Sequence, residues 1–135
     1  MRVAELILAR PHHLLTGQTV EQAAKLMTTF GLTLLPVCQS EGAIVGVITA
    51  RQIVNAVALG KAPNLCAVDD VMATDFPTCR GDDEVNEVYT RMVSHGLDEL
   101  IVESRLGHLV GLVDRIRLAA VTGPVRPVRR LRKPA

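Results

Sequence analysis

The side chains able to do chemistry in this sequence are few and scattered. There are four histidines and three cysteines, and one acidic run, Asp82-Asp83-Glu84. His12 and His13 are adjacent, so on an extended segment they point to opposite faces. They lack a third ligand for a metal ion. His95 and His108 have no ligand-like spacing either. Cys38, Cys66 and Cys79 form no Cys-x-x-Cys pair and read as small buried hydrophobes with reduced thiols. Asp82-Asp83-Glu84 stands just before a helix start, where carboxylates gain from the helix dipole. No Gly-x-x-x-x-Gly-Lys or Gly-x-Gly-x-x-Gly loop occurs, and no nucleophile–His–acid order has supporting local context. The residues therefore predict a protein that is not an enzyme, with no catalytic residues, no metal and no required cofactor.

The elements that would position any site come from an internal repeat. Shifted by 65 residues, the chain matches itself without a gap. Val20, Met27, Gly31, Leu32, Leu35, Val37, Gly42, Val45 and Gly46 fall on Val85, Met92, Gly96, Leu97, Leu100, Val102, Gly107, Val110 and Gly111. Those are nine identities over positions 19–53, against roughly two or three expected by chance. Ile44/Leu109, Val47/Leu112, Ile48/Val113 and Ile53/Leu118 keep the apolar pattern where identity fails.

Each copy reads as helix, strand, strand, helix. Val20, Ala23, Ala24 and Met27 recur at helical spacing, as do Val85, Val88, Tyr89 and Met92. Thr19 with Gln22 predicts a capping box, and Asp83 or Glu84 can do the same in the second copy. Gly31 and Gly96 predict left-handed helix ends. Apolar runs at 34–38 and 44–48, and again at 100–103 and 109–113, predict strands split by turns at Gly42 and Gly107. Second helices are expected at about 50–59 and 115–121. The division is then residues 1–59, a linker at 60–69, residues 70–123 and a tail at 124–135. A unit of this size has a small core, so two copies should pack sheet to sheet as one pseudo-twofold α+β module.

At this point the residues resemble a known family. Gly31-Leu32-x-x-Leu35-Pro36-Val37, followed by Gly42-x-x-Val45-Gly46-Val47-Ile48-Thr49, is similar to the core signature of CBS domains, which occur as pairs called Bateman modules. Asp70-Val71-Met72 is similar to the family's lead-in. The resemblance spans about residues 5–121. It implies two αββα-type repeats packed through their sheets, often dimerising, and a regulatory role. Many such pairs bind AMP, ATP or S-adenosylmethionine in two clefts between the repeats.

The resemblance also implies site residues. One cleft would use Thr49 and, three positions on, Gln52, where the family has Asp. An amide offers one acceptor oxygen where a carboxylate offers two, so a ribose would be held less firmly. The loop contacting the base would be His12-His13-Leu14, with Pro36 nearby on the following strand. Asp98 and Glu99 stand at the phosphate end, where the family often has bases. Two carboxylates there repel phosphate, so a neutral or cationic adenosine derivative suits this cleft better than ATP. The other cleft would use Asp114, Arg117 and the loop Phe76-Pro77-Thr78, with Thr33 and Leu34 at its phosphate end. Arg117 cannot accept a ribose hydrogen bond, and it can pair with Asp114 and plug the cleft.

Charge and composition add the remaining expectations. Hydrophobic residues make up 48% of the chain, and the aromatics are Phe30, Phe76 and Tyr89, so the core should be aliphatic. Few aromatics also argue against base stacking on single-stranded nucleic acid. The formal charge is +1, but Arg126, Arg129, Arg130, Arg132 and Lys133 all lie in the tail. Without those five, ten basic side chains face 14 acidic ones, a formal −4. Such a tail is either a solvated end or an electrostatic handle for nucleic acid or an acidic partner. Charges at Arg2, Glu5 and Arg10 break any signal-peptide core, and no apolar run reaches membrane-spanning length. The expectation is a cytoplasmic homodimer that signals to a regulated protein partner. An interaction module with degenerate clefts, or a nucleic-acid-associated regulator acting through Arg126–Lys133, are the alternatives.

Overall fold

The computed structural model describes residues 1–7 and 11–122, so Arg10 and the basic tail lie outside the described residues. The chain runs β1 (Leu14–Leu15), α1 (Val20–Phe30), β2 (Leu34–Cys38), β3 (Ile44–Thr49) and α2 (Ala50–Ala58). It then repeats the order as β4 (Thr78–Arg80), α3 (Val85–Ser94), β5 (Glu99–Glu103), β6 (Leu109–Asp114) and α4 (Arg115–Val121). Short 3-10 turns at Val3–Leu6 and Val68–Asp70 precede the two copies.

Local chemistry sets these boundaries. The Thr19 hydroxyl accepts from Gln22 N at 3.2 Å, and Gln22 Oε1 accepts from Thr19 N at 2.9 Å, which closes the expected capping box on α1. Gly31 and Gly96 both take φ 64°, the left-handed turn that returns the chain toward a strand. The expected cap on α3 is absent. Glu84 is its N-cap residue but makes no side-chain capping bond. Its carboxylate instead meets the Met1 amino group at 3.5 Å and Arg2 Nη1 at 3.3 Å. Asp83 Oδ2 accepts from Arg80 N at 2.8 Å. The start of the chain takes one carboxylate and β4 takes the other.

The two sheets have orders β1-β2-β3 and β4-β5-β6. In each, the first strand runs parallel to the second and the second antiparallel to the third. Leu14 pairs with Val37, and Cys79 pairs with Val102. The register shifts between Val37 and Cys38 in one sheet and between Val102 and Glu103 in the other. Every one of these pairs is related by the 65-residue shift, so the repeat extends to irregularities of the ladder.

The core is built from Val, Leu, Ile, Ala, Met and Cys, in two clusters. The segments ahead of each repeat cross over. Val3, fully buried, packs with Cys79, Val85, Val88 and Met92 of the second copy. Val68, also fully buried, packs with Leu14, Leu35, Val37 and Ile48 of the first. Burying a valine fully is worth roughly 1.5–3 kcal/mol, so each copy contributes to the stability of the other. Backbone bonds reinforce the exchange: Val47 and Ala73 bond reciprocally at 2.9 Å. Ile44 N donates to Gly107 O at 2.9 Å and Leu109 N to Gly42 O at 3.0 Å, which joins the two hairpin turns.

Candidate functional site

Each hairpin ends at a helix N-terminus. Thr49 closes β3 and caps α2, and Asp114 closes β6 and caps α4. Gln52 Oε1 accepts from Thr49 N at 2.8 Å and from the Thr49 hydroxyl at 2.6 Å. Its acceptor oxygen is therefore used within the cap, and the amide NH2 is the group left to meet a ligand. Asp114 Oδ1 accepts from Arg117 N at 2.7 Å, and Asp114 Oδ2 lies 3.4 Å from Arg117 Nε. Next to it, Arg115 Nη2 donates to Asp98 Oδ1 at 2.9 Å, and Arg115 N donates to Asp98 O at the same distance.

The repeats meet between these caps. Leu34 pairs with Thr49, and Glu99 pairs with Asp114, at the ends of the two ladders. Beside them the Thr33 hydroxyl donates to Glu99 Oε1, a hydrogen bond from one copy to the other. The Thr33–Glu99 bond thus links the strand beside Thr49 in one copy to the strand beside Asp114 in the other, while Gln52, Asp98 and Arg117 bond locally at their own caps.

The loops ahead of β1 and β4 differ. His12 stacks on Phe30, with ring centroids 4.1 Å apart and planes at 25°. His13 Nδ1 lies 3.2 Å from Pro11 O. Leu14 is fully buried in the first core, and Pro36 is buried in β2. In the second copy an open groove of about 520 Å³ is lined by Asp75, Phe76, Pro77, Thr78, Arg91, His95 and Leu97. Arg91 Nη2 donates to Thr78 O at 2.6 Å, and His95 Nδ1 lies 2.8 Å from Arg91 O. The Thr78 hydroxyl donates to Glu103 Oε1 at 2.7 Å. Pro77 and His95 are the 65-residue equivalents of His12 and Phe30, so the stacked rings of the first copy correspond to groove walls in the second.

The three thiols are buried and free. Burial pushes the Cys79 thiol up to about 12, and it raises Cys38 as well. A thiol held protonated is a poor nucleophile. Among the described residues no three His, Cys, Asp or Glu side chains are grouped to hold a metal ion. No described helix is long and apolar enough to cross a membrane.

The sequence model of the CBS domain matches residues 3–59 and 68–121. The chain belongs to the CBS-domain family. Over 105 residues it is 31% identical to a homoserine O-acetyltransferase from Methanosphaerula palustris, covering 78% of this chain and 21% of that protein. It thus spans about a fifth of the length of the curated relatives it matches. Its fold is that of the CBS domain pair of protein MJ0100, solved with 5′-methylthioadenosine and S-adenosyl-L-methionine. The TM-score is 0.76 at 22% identity, over 91% of this chain and 96% of that one. CBSX2 in complex with AMP has a TM-score of 0.75 at 18% identity, over 88% and 93%.

Within this CBS pair, the groove holds three residues singled out from the sequence, Phe76, Pro77 and Thr78, and four that were not. Asp75, Arg91, His95 and Leu97 carry little signal in a single sequence. Arg91 lies in the last turn of α3 and His95 is its C-cap residue, both off its buried Val85–Val88–Met92 stripe, where polar residues read as a solvated face. Asp114 and Arg117 are not among the groove's lining residues.

Proposed function

We propose that this CBS pair is a non-enzymatic regulatory module that binds an adenosine-containing ligand of the AMP, ADP, ATP or S-adenosylmethionine type between its repeats. The observation that supports the reading is the groove against Phe76, Pro77 and Thr78, which the second copy alone lines and which would form the base end of one cleft. Its 520 Å³ lies within the roughly 300–1,000 Å³ of small-molecule sites. Phe76 and Leu97 offer apolar surface to a purine, and Thr78, Arg91 and Asp75 offer polar groups to orient it. Thr49 and Gln52 serve the other cleft, with His12 and His13 around its base end and the buried Leu14 and Pro36 behind them. The adenosine ligands of MJ0100 and CBSX2 support this assignment of ligand class.

A ligand acts by its different affinity for two arrangements of the repeats or of a dimer. A homodimer through α2 and α4 is part of the proposal. Val54 and Val57 on α2 are 63% and 56% exposed, and Ile116 on α4 is 79% exposed. Such apolar surface favours a partner surface over water. A regulated protein reads the resulting change in packing, in the cytoplasm.

Thermal-shift measurements with adenosine, AMP, ADP, ATP, S-adenosylmethionine and NADH test the reading. At a hundred times its Kd a ligand adds about 2.7 kcal/mol of stability. Absence of any shift at millimolar concentration rejects it. The Asp114–Arg117 and Asp98–Arg115 pairs favour a second reading, a dimerising interaction module with closed clefts. That reading predicts a constitutive dimer whose stability ignores nucleotides.

A further inference from the structure

We infer that the His12–Phe30 stack is an autoinhibitory contact: the two rings close the first copy against a purine, so the chain loads at the groove of the second copy first. The inference rests on the ligand-binding reading above and adds what makes its two sites unequal.

The 65-residue repeat supplies the comparison. Pro77 and His95 line the groove of the second copy, and their counterparts in the first are His12 and Phe30. Those two rings have centroids 4.1 Å apart and planes at 25°. That is van der Waals contact, so no base can stand between them. Positions that form walls of an open groove in one copy touch each other in the other.

Residue types explain the difference. Arg91 reaches from α3 to Thr78 O at 2.6 Å and fixes the spacing between that helix and β4. Its counterpart is Leu26, which has no side-chain donor and packs against the first core. The His95 ring is tied to its own helix, with Nδ1 2.8 Å from Arg91 O. A phenyl ring at position 30 can make no such bond, and it takes the imidazole of His12 as its partner. Pro77 offers His95 no aromatic face. His12 is exposed and Phe30 is 53% exposed, so both rings can swing into solvent. The stack is therefore a contact that a ligand can displace, and only the fraction of molecules with parted rings can bind there. An aromatic pair of this kind weakens a competing ligand by about two- to tenfold.

The test is calorimetric titration of the full chain with adenosine, 5′-methylthioadenosine and AMP, repeated on His12→Ala. His12 lies outside the core, so the variant keeps the packing of the fold. The expected result is two binding steps in the wild-type chain. His12→Ala should strengthen the weaker step by about two- to tenfold and leave the stronger one in place. A gain confined to the stronger step, equal gains in both, no gain in either, or a single step in both proteins overturns the inference and leaves the ligand-binding reading standing. No binding by any of the three to either protein overturns both. Proton NMR of the wild-type chain tests the same point without a variant. The His12 ring protons, displaced by the ring current of Phe30, should hold their positions as the first equivalent binds and move only with the second. Movement with the first equivalent overturns the inference.

Discussion

Met72 places its thioether in the space that Gly46 leaves open. A β-carbon built at Gly46 would overlap Met72 Sδ and lie 2.6 Å from Met72 Cγ and 3.0 Å from the main-chain oxygen of Ala73. The side chain can swing away, but the Ala73 backbone cannot move freely. It exchanges two hydrogen bonds of 2.9 Å with Val47, the residue after Gly46. Gly46→Ala should therefore destabilise the fold by about 1–3 kcal/mol, the usual range for overpacking. A thermal melt should show a midpoint several degrees lower. Adding Met72→Ala should recover part of the loss, since the two positions are in direct competition. An unchanged melting point would mean that the second lead-in does not cross the first sheet this closely.

The exchange of lead-ins predicts long-range effects of small core changes. Val3 has no exposed surface, although it stands near the start of the chain, and it packs wholly in the second copy's cluster. Val3→Ala removes two methylene-equivalents and leaves a small void, a loss of about 2 kcal/mol. Amide hydrogen exchange should show the loosening first in α3 and β5 rather than in α1 and β2. Val68→Ala should do the reverse. If Val3→Ala loosened the first copy instead, the crossed arrangement would be refuted.

Much of this architecture is legible in the residues. Gly31 and Gly96, the Thr19–Gln22 box and the paired apolar runs give the order of helices and strands, and α4 spans the stretch its periodicity marks. What is not legible depends on contacts far apart in sequence. β1 and β4 have two and three residues, too few for an alternating pattern to show. Val3 and Val68 lie outside the repeated helix and strand patterns, and their cores lie in the opposite copy. Asp83 and Glu84 suit a helix cap by type, but Arg80 and the first two residues engage them first. At the clefts, opposite charge three residues apart points to the Arg117–Asp114 pair. The Arg115–Asp98 pair spans 17 residues and follows only from the β5–β6 register.

The first cleft can be tested through its cap. Gln52 Oε1 already accepts both donors of Thr49. In Gln52→Asp one carboxylate oxygen can keep the bond to Thr49 N, and the other becomes free to accept from a ribose hydroxyl. A charge-assisted bond of that kind is worth about 1–2 kcal/mol more than its neutral counterpart. Adenosine affinity should then rise by roughly tenfold in a titration, with little change in melting point. An affinity that does not move would show that the first cleft is shut, with His12 and Phe30 as the first residues to remove.

Stability above neutral pH should depend on Cys79. Its thiol is 3% exposed, and burial, the largest influence, raises it from 9.0 to about 12. Arg91 opposes that shift, and Asp83 and Glu103 add to it. The folded chain therefore holds a proton that the unfolded chain releases near pH 9. This contribution is fully present below the unfolded value and is lost as pH rises through the window from 9.0 to about 12. The loss approaches roughly 1.4 kcal/mol per pH unit within that window. Urea midpoints measured from about pH 8 to about pH 10.5 should fall accordingly. Cys79→Ala should be less stable at pH 8 because packing is lost, yet its midpoint should fall less steeply, with Cys38 accounting for part of the remaining slope. Parallel slopes in the two proteins would place the alkaline sensitivity elsewhere, and rapid labelling of Cys79 in the folded chain by a thiol reagent would contradict its burial directly.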